Sequence, residues 1–131
     1  MNRSVLDVSS VVALSGLDGM TPLRLRMLVR RHDPPTAVAV ARGECPDPVF
    51  ADHLRRSQLH RPRPTDWMRC WRDALDRVSV ASRYERCLAA EVGVVLYGDP
   101  AYPECLADDP EAPSILYYRG ELDVLDGRRV G

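Results

Sequence analysis

The chain has 131 residues, about the size of one domain, and its 45% hydrophobic and 28% charged residues are typical of a soluble globular protein. All 18 Lys and Arg residues are Arg, and the absence of Lys excludes a Walker A lysine and a Schiff-base lysine. The net charge of −1 divides into +4 over residues 1–91 (15 Arg minus 11 acids) and −5 over residues 92–131 (3 Arg minus 8 acids), which gives the first part the charge to contact an anionic partner.

The N-terminal residues predict two helices joined by a glycine turn. Apolar residues at spacings of three and four predict a helix over residues 4–15, and the glycines that follow, Gly16 and Gly19, allow the chain to reverse. Thr21 supplies an N-cap oxygen and Pro22 suits the first helical position, so a second helix begins there and ends at the next pair of prolines. This order of elements is the outline of a helix-hairpin-helix.

The middle of the chain predicts shorter helical pieces. Thr36 is expected to cap a third helix over residues 37–41. Residues 44–64 contain four prolines and predict a connector with one or two helical turns. A firmer helix begins at Asp66, where apolar residues again recur every three or four positions, and a further helix is predicted over residues 82–91.

From residue 92 the pattern changes to that of strands. Residues 92–97 are a short apolar run rich in β-branched side chains, and residues 114–118 predict a second strand. A short helical or turn segment is expected over residues 121–126. Residues 128–131 look like the first residues of a third strand, cut off as it begins.

Cysteine and histidine positions argue against a metal site. The four cysteines, at positions 45, 70, 87 and 105, form no C-x-x-C pair, and the three histidines do not recur at ligand spacing. The sequence also shows no signal peptide and no apolar run long enough to span a membrane. We therefore predict a cytoplasmic protein with buried, reduced thiols and with no metal or cofactor.

A set of characteristic positions runs from the end of the first predicted strand through the second. They are Gly98-Asp99-Pro100-Ala101-Tyr102-Pro103, Leu106, Asp109, Ala112-Pro113, Leu116-Tyr117 and Arg119-Gly120. This pattern resembles the lead-in of the DNA-processing proteins called DprA or Smf, in which G-D-x-x-Y-P is followed by a spaced leucine, a proline and an L-[YF]-x-x-G ending. The resemblance is strong over residues 97–131 and weak over residues 1–91.

The resemblance implies a mainly α N-terminal domain of the SAM-like, helix-hairpin-helix type, followed by an incomplete α/β, Rossmann-like lead-in. The corresponding intervals are the helix-hairpin-helix residues 1–43, a Pro-rich connector 44–64, a helical segment 65–91 and the start of the Rossmann-like domain 92–131. The chain is expected to stop before the phosphate-binding loop that opens the family's main DNA-binding pocket.

The function implied by the resemblance is the binding of single-stranded DNA in DNA-mediated transformation or recombination. The implied partners are DNA and a RecA-type recombinase, although the region that contacts the recombinase is missing here. No group of residues has the spacing of a catalytic site, so we predict that the protein is not an enzyme. Two alternatives stay open: a helical protein-interaction module that does not touch DNA, and a truncated product without independent activity.

The glycine hairpin is the candidate DNA-binding site. In such hairpins, backbone N–H groups at the turn and at the N-terminus of the next helix bind a phosphate. Sequence-independent phosphate contacts are predicted for the turn and for the arginines that follow it, namely Gly19, Thr21, Arg24, Arg26, Arg30 and Arg31. The structural alternative is an ordinary turn followed by solvated arginines.

Two further groups are assigned to structure rather than to function. Trp67 and Trp71 are one helical turn apart and are expected on a core face, not stacked on bases. The acidic residues Asp108, Asp109 and Glu111 are expected in a solvated loop, because no further ligand at a fixed spacing accompanies them.

Overall fold

The structure, a computed structural model, describes residues 4–120. In this range the chain forms seven α-helices and two β-strands, in the order α1 (Val5–Ser15), α2 (Pro22–Arg31), α3 (Pro34–Ala41), α4 (Pro48–Ser57), α5 (Trp67–Arg77), α6 (Val80–Ala89), β1 (Gly93–Leu96), α7 (Glu104–Ala107) and β2 (Ile115–Tyr118). The mainly α architecture is confirmed, with a small sheet as its other component. The short helical or turn segment expected over residues 121–126 and the strand expected from residue 128 lie outside the described residues.

Helices α2, α3 and α4 all begin with a polar N-cap followed by proline. The caps are Thr21, Asp33 and Asp47, and each side chain accepts a hydrogen bond from the backbone amide three residues further on. Proline is tolerated at the first helical position because an amide there has no intrahelical partner. Helix α3 therefore starts at Pro34, earlier than predicted, and Thr36 is not its cap. The Thr36 hydroxyl instead donates to the Asp33 carboxylate (2.7 Å).

The segment predicted as a connector contributes a helix to the core. Helix α4 has ten residues, more than the one or two turns expected within residues 44–64. Phe50 and Leu54 of this helix are buried, and the Phe50 ring centroid lies 6.0 Å from that of Trp71 in α5. Burial of these two large side chains stabilises the packing of α4 on the rest of the protein. The prolines mark the start of this helix and the loop after it.

The main hydrophobic core lies among the first five helices and extends to the sheet. Helix α1 packs against α3 and α6. Val11 and Leu14 of α1 share one buried cluster with Leu28 of α2 and Val40 of α3. Leu96 of β1 belongs to the same cluster, so the sheet packs directly on the helices.

The two strands pair antiparallel, and the loop between them is tied to both. Gly93 lies opposite Tyr118 in the register of the pair. The Asp99 carboxylate accepts a hydrogen bond from the Leu96 amide (2.9 Å), and the Tyr102 hydroxyl donates to the carbonyl of Pro113 (2.8 Å). Burial also raises the pKa of Tyr102. Residues of the G-D-x-x-Y-P pattern thus fix the course of the loop between the two strands.

Cysteine burial differs in part from the prediction. All four cysteines are free; Cys45, Cys87 and Cys105 are half-buried, whereas Cys70 is exposed. The expectation of buried thiols is wrong for Cys70, because the buried side of α5 is centred on Trp71 and Leu75. Cys70 precedes Trp71 by one residue and is turned away from that side by the helical rotation between neighbours.

Candidate functional site

The glycine turn between α1 and α2 is closed by its own hydrogen bonds. Gly19 has a φ of +75°, and a Cβ there would lie 2.4 Å from the nearest atom of the Trp67 ring, so the position requires glycine. The amides of Met20 and Thr21 donate to the carbonyls of Leu17 (3.1 Å) and Gly19 (3.0 Å). Backbone amides of this turn are predicted to bind a phosphate, but these two already donate hydrogen bonds within the turn.

Arg24 joins the glycine turn to the end of α4. The residue is only 8% exposed. Its Nη1 donates to the carbonyl of Gly19 (2.7 Å), and its Nη2 donates to the hydroxyl of Ser57 (3.1 Å). The guanidinium also lies 5.8 Å from the ring centroid of Trp67. Arg24 is thus part of the structure at the hairpin rather than a solvated side chain.

Arg31 makes a matching connection at the other end of α4. Its Nε and Nη2 donate to the two carboxylate oxygens of Asp47 (both 3.0 Å). The Nε2 of His32 lies 2.7 Å from the same carboxylate, which also accepts from the amide of Phe50 (3.1 Å) as the cap of α4. The hydrogen bonds from Arg31 hold the pKa of Asp47 well below its usual range. Two arginines seven residues apart, on one side of α2, therefore secure both ends of α4.

Arg26 and Arg30 lie elsewhere on α2. The guanidinium of Arg30 is 4.7 Å from the ring centroid of Tyr97, at the sheet. Arg26 is half-buried, and its Nε finds no hydrogen-bond partner within residues 4–120. The four predicted arginines therefore do not form one common phosphate-binding face.

A cluster of two arginines and one histidine forms at the hairpin, and two of its members, His53 and Arg61, are not among the residues predicted for the site. Burial lowers the pKa of Arg24, and the charge of Arg61 lowers it further. Burial likewise lowers the pKa of His53, with an added contribution from the charge of Arg24. These effects place His53 and Arg61 each within electrostatic range of Arg24, and the three residues are called the hairpin cluster below. Among the described residues, no carboxylate forms an ion pair with Arg24 or Arg61.

A simple sequence signal could have revealed this cluster. Residues 53–65 contain four Arg and two His and no Asp or Glu, an excess of arginine over acids equal to that of residues 20–32. The prolines in and around this stretch predict a connector, and that prediction does not take its charge into account. Of its arginines, Arg55 and Arg56 both form ion pairs with Asp52 (2.7 and 2.8 Å), so their charge is already compensated.

An apolar groove, called the α4–α5 groove below, lies beside the hairpin cluster. It has a volume of about 510 Å³ and is lined by Ala51, Leu54, Arg55, Gln58, Leu59, Pro64, Thr65, Asp66, Trp67 and Met68. Gln58 fixes the loop that forms one rim, since its Oε1 accepts from the amide of Thr65 (2.9 Å) and its Nε2 donates to the Ser57 hydroxyl (3.1 Å). The loop that carries Arg61 is thereby held beside the groove.

The tryptophans lie in the core, as the sequence predicts. Trp71 is 1% exposed and its Nε1 donates to the carbonyl of Asp18 (2.7 Å). Its ring stacks with that of Trp67 at a centroid distance of 6.2 Å and an interplanar angle of 22°. Trp67 is half-buried against this core and also forms part of the wall of the α4–α5 groove.

The remaining candidates add no second site. Asp108, Asp109 and Glu111 are exposed, and the Asp109 carboxylate accepts from the amide of Glu111 (2.8 Å). In the part of the chain that the structure describes, no three His, Cys, Asp or Glu side chains are grouped to hold a metal ion. None of the helices within residues 4–120 has the length and apolar character needed to cross a membrane.

Comparison with known proteins identifies no relative of this chain. No family model matches it, and no curated protein or solved structure matches it either. The likeness to DprA and Smf proteins therefore depends on the sequence pattern of residues 97–131, and the function it implies stays a prediction.

Proposed function

We propose that the protein binds the phosphate backbone of DNA at the hairpin cluster of Arg24, His53 and Arg61. The observation that supports this most directly is a nearly buried guanidinium, that of Arg24, beside a second arginine and without a carboxylate partner among the described residues. Uncompensated charge of this kind is unfavourable in the free protein, and an anion bound beside it offsets the cost.

The three residues of the hairpin cluster differ in burial and therefore in how each can act on a bound phosphate. Arg24 donates to two neutral oxygens, those of Gly19 and Ser57, so its full positive charge remains available to attract an anion. Arg61 is exposed and His53 is half-buried, so their side chains are the ones placed to contact a phosphate. Arg24 then contributes mainly through its field, which low-dielectric surroundings strengthen.

The resemblance to DprA and Smf proteins indicates which anion binds and in which process the protein acts. By that likeness the anion is the backbone of single-stranded DNA, and the protein acts without catalysis in DNA processing during transformation or recombination, in the cytoplasm. The same proposal includes three further points that the resemblance implies: the helices are SAM-like, the sheet is the start of a Rossmann-like domain, and a RecA-type recombinase is a partner.

A protein-docking role is the second candidate function, and one feature of α6 favours it. This helix has no fully buried residue, and its Leu88 is 58% exposed. An apolar side chain in that position would gain stability by contact with another chain.

Binding of fluorescent oligonucleotides, followed by anisotropy at several salt concentrations, tests the proposal. Replacing Arg61 with Ala is expected to reduce the slope of log K against log salt by about 0.7–0.9, the contribution of one phosphate contact. Arg119→Ala is the matched control, because Arg119 is also exposed but follows β2 and is not a member of the hairpin cluster. Equal effects of the two substitutions would contradict the proposal. A complete lack of binding at low salt would favour the docking role.

A further inference from the structure

The α4–α5 groove differs in chemistry from the hairpin cluster beside it. Its walls are mainly apolar, with Leu54, Leu59, Trp67 and Met68 among the lining residues. Its volume of about 510 Å³ is within the range of roughly 300–1,000 Å³ found for small-ligand sites. The rim is the loop of residues 58–65, which carries two arginines and no acid. An apolar recess is thus placed directly beside uncompensated positive charge.

We propose that the α4–α5 groove accepts an unpaired base of a single DNA strand whose phosphates lie on the hairpin cluster. This inference rests on the proposed function and assigns the contact with a base of that strand to a second surface, the α4–α5 groove. A single strand presents phosphates and bases side by side, and proteins that bind it combine a positively charged track with apolar or aromatic contacts to the bases.

The charges at the groove favour this orientation of the strand. Asp66 and Arg55 are the two charged residues in the lining, and Arg55 is already paired with Asp52. The Asp66 carboxylate therefore repels a phosphate from the groove itself. Arg61, in the rim loop, attracts the phosphate to the outside instead. A purely apolar peptide would match the walls of the groove but would leave the positive charge of the cluster without a partner.

The contacts available in the groove predict little sequence preference. Both polar ends of the Gln58 side chain are engaged, with Ser57 and Thr65, and Asp66 caps α5 through the amide of Arg69. Few free polar groups therefore face a base. The Trp67 ring is already stacked on Trp71, so a base would meet the leucine and methionine side chains and the remaining surface of Trp67.

A duplex lacks access to such a groove, because its bases are paired and stacked inside the helix. We therefore expect single strands to bind more tightly than a duplex of the same length. Removing the bases should have a similar effect to pairing them. If one base enters the groove, the duplex and the abasic strand should each bind at least about fivefold more weakly than the single strand, because one base contact contributes about 1 kcal/mol or more.

The test uses the whole chain and three labelled oligonucleotides of equal length: a single strand, its duplex, and a strand built from abasic units. Leu59→Ala shortens an exposed residue of the groove, and Leu88→Ala is the matched control, since these leucines are 57% and 58% exposed and Leu88 lies on α6. Leu59→Ala is expected to weaken single-strand binding about four- to fifteenfold, because it removes the contacts of one or two carbon groups with the base, and to leave abasic binding unchanged. Leu88→Ala should change neither.

The outcomes separate this inference from the proposed function. If the abasic strand or the duplex binds as tightly as the single strand, and Arg61→Ala still lowers the salt slope, the groove inference is wrong and phosphate binding stands. Equal effects of Leu59→Ala and Leu88→Ala on the single strand would also overturn the inference. If no oligonucleotide binds at low salt, both proposals are wrong.

Discussion

Replacing Asp47 with alanine is expected to lower the free energy of unfolding by about 2–4 kcal/mol. The Asp47 side chain is 1% exposed and accepts hydrogen bonds from Arg31, His32 and the amide of Phe50. Loss of the N-cap of α4 accounts for about 1 kcal/mol, and loss of the charge-assisted bonds accounts for the rest. The contribution of the charge-assisted bonds is reduced because the Arg31 side chain is 41% exposed and is solvated by water when its partner is removed.

The pH dependence of stability provides a second test of the same contact. The pKa of Asp47 is lower in the folded protein than in the unfolded chain, mainly because of Arg31. Its contribution to stability is therefore present above the unfolded pKa of about 3.9 and is lost as the pH falls towards the folded pKa. The difference in stability between the wild type and Asp47→Asn should shrink below about pH 4. This difference is the quantity to measure, because the pKa values of Asp33 and Asp52 are lowered as well.

Urea denaturation followed by circular dichroism measures both effects. Asp52→Ala is the matched control, because Asp52 lies in the same helix and forms ion pairs with Arg55 and Arg56 at the surface, where such pairs contribute little. If Asp47→Ala costs no more stability than Asp52→Ala, or if the wild-type advantage over Asp47→Asn stays constant from pH 7 to pH 2, the assignment of Asp47 as the anchor of α4 is wrong.

Two further predictions concern the hairpin. In thermal or urea denaturation, Gly19→Ala should destabilise the protein by about 1–3 kcal/mol more than Gly120→Ala. Both glycines have a positive φ, but a Cβ at Gly19 would clash with Trp67, whereas nothing lies within 4 Å of a Cβ at Gly120. Equal effects would argue against the close packing of the turn. Arg24→Ala should cost about 1–3 kcal/mol through its lost bonds to Gly19 and Ser57, and unchanged stability would argue against them.

The local signals in the sequence were sufficient to locate most helices. Thr21-Pro22 and Asp66 mark helix starts that the structure confirms, because a cap and a first-position proline act within a few residues of the chain. The same logic applied to Asp47-Pro48 would have found α4. The surrounding prolines point to a connector instead. The burial of Phe50 depends on packing against α5, which periodicity over ten residues does not reveal.

The site was harder to predict than the fold, because its members are distant in sequence. Arg24 was placed at the hairpin correctly, but its bond to Ser57 spans 33 residues and depends on how α4 packs. The same packing brings Arg61 and His53 near Arg24. The spacing of arginines along α2 therefore predicts a basic helix. It does not predict which side chains from other parts of the chain lie close to the start of that helix.

The composition of the chain, with Arg as its only basic residue, suits the contacts that fix α4. Arg24 and Arg31 each use two separate nitrogens of one guanidinium, and in both cases the acceptors are arranged to match that fork. A lysine ammonium is a single point of charge on a flexible stem and cannot reproduce such paired geometry. Because Arg24 both holds α4 in place and belongs to the hairpin cluster, its removal would alter folding and binding together. Arg61 is exposed and forms no ion pair among the described residues, so a loss of DNA binding in Arg61→Ala would report on the charge of the cluster alone.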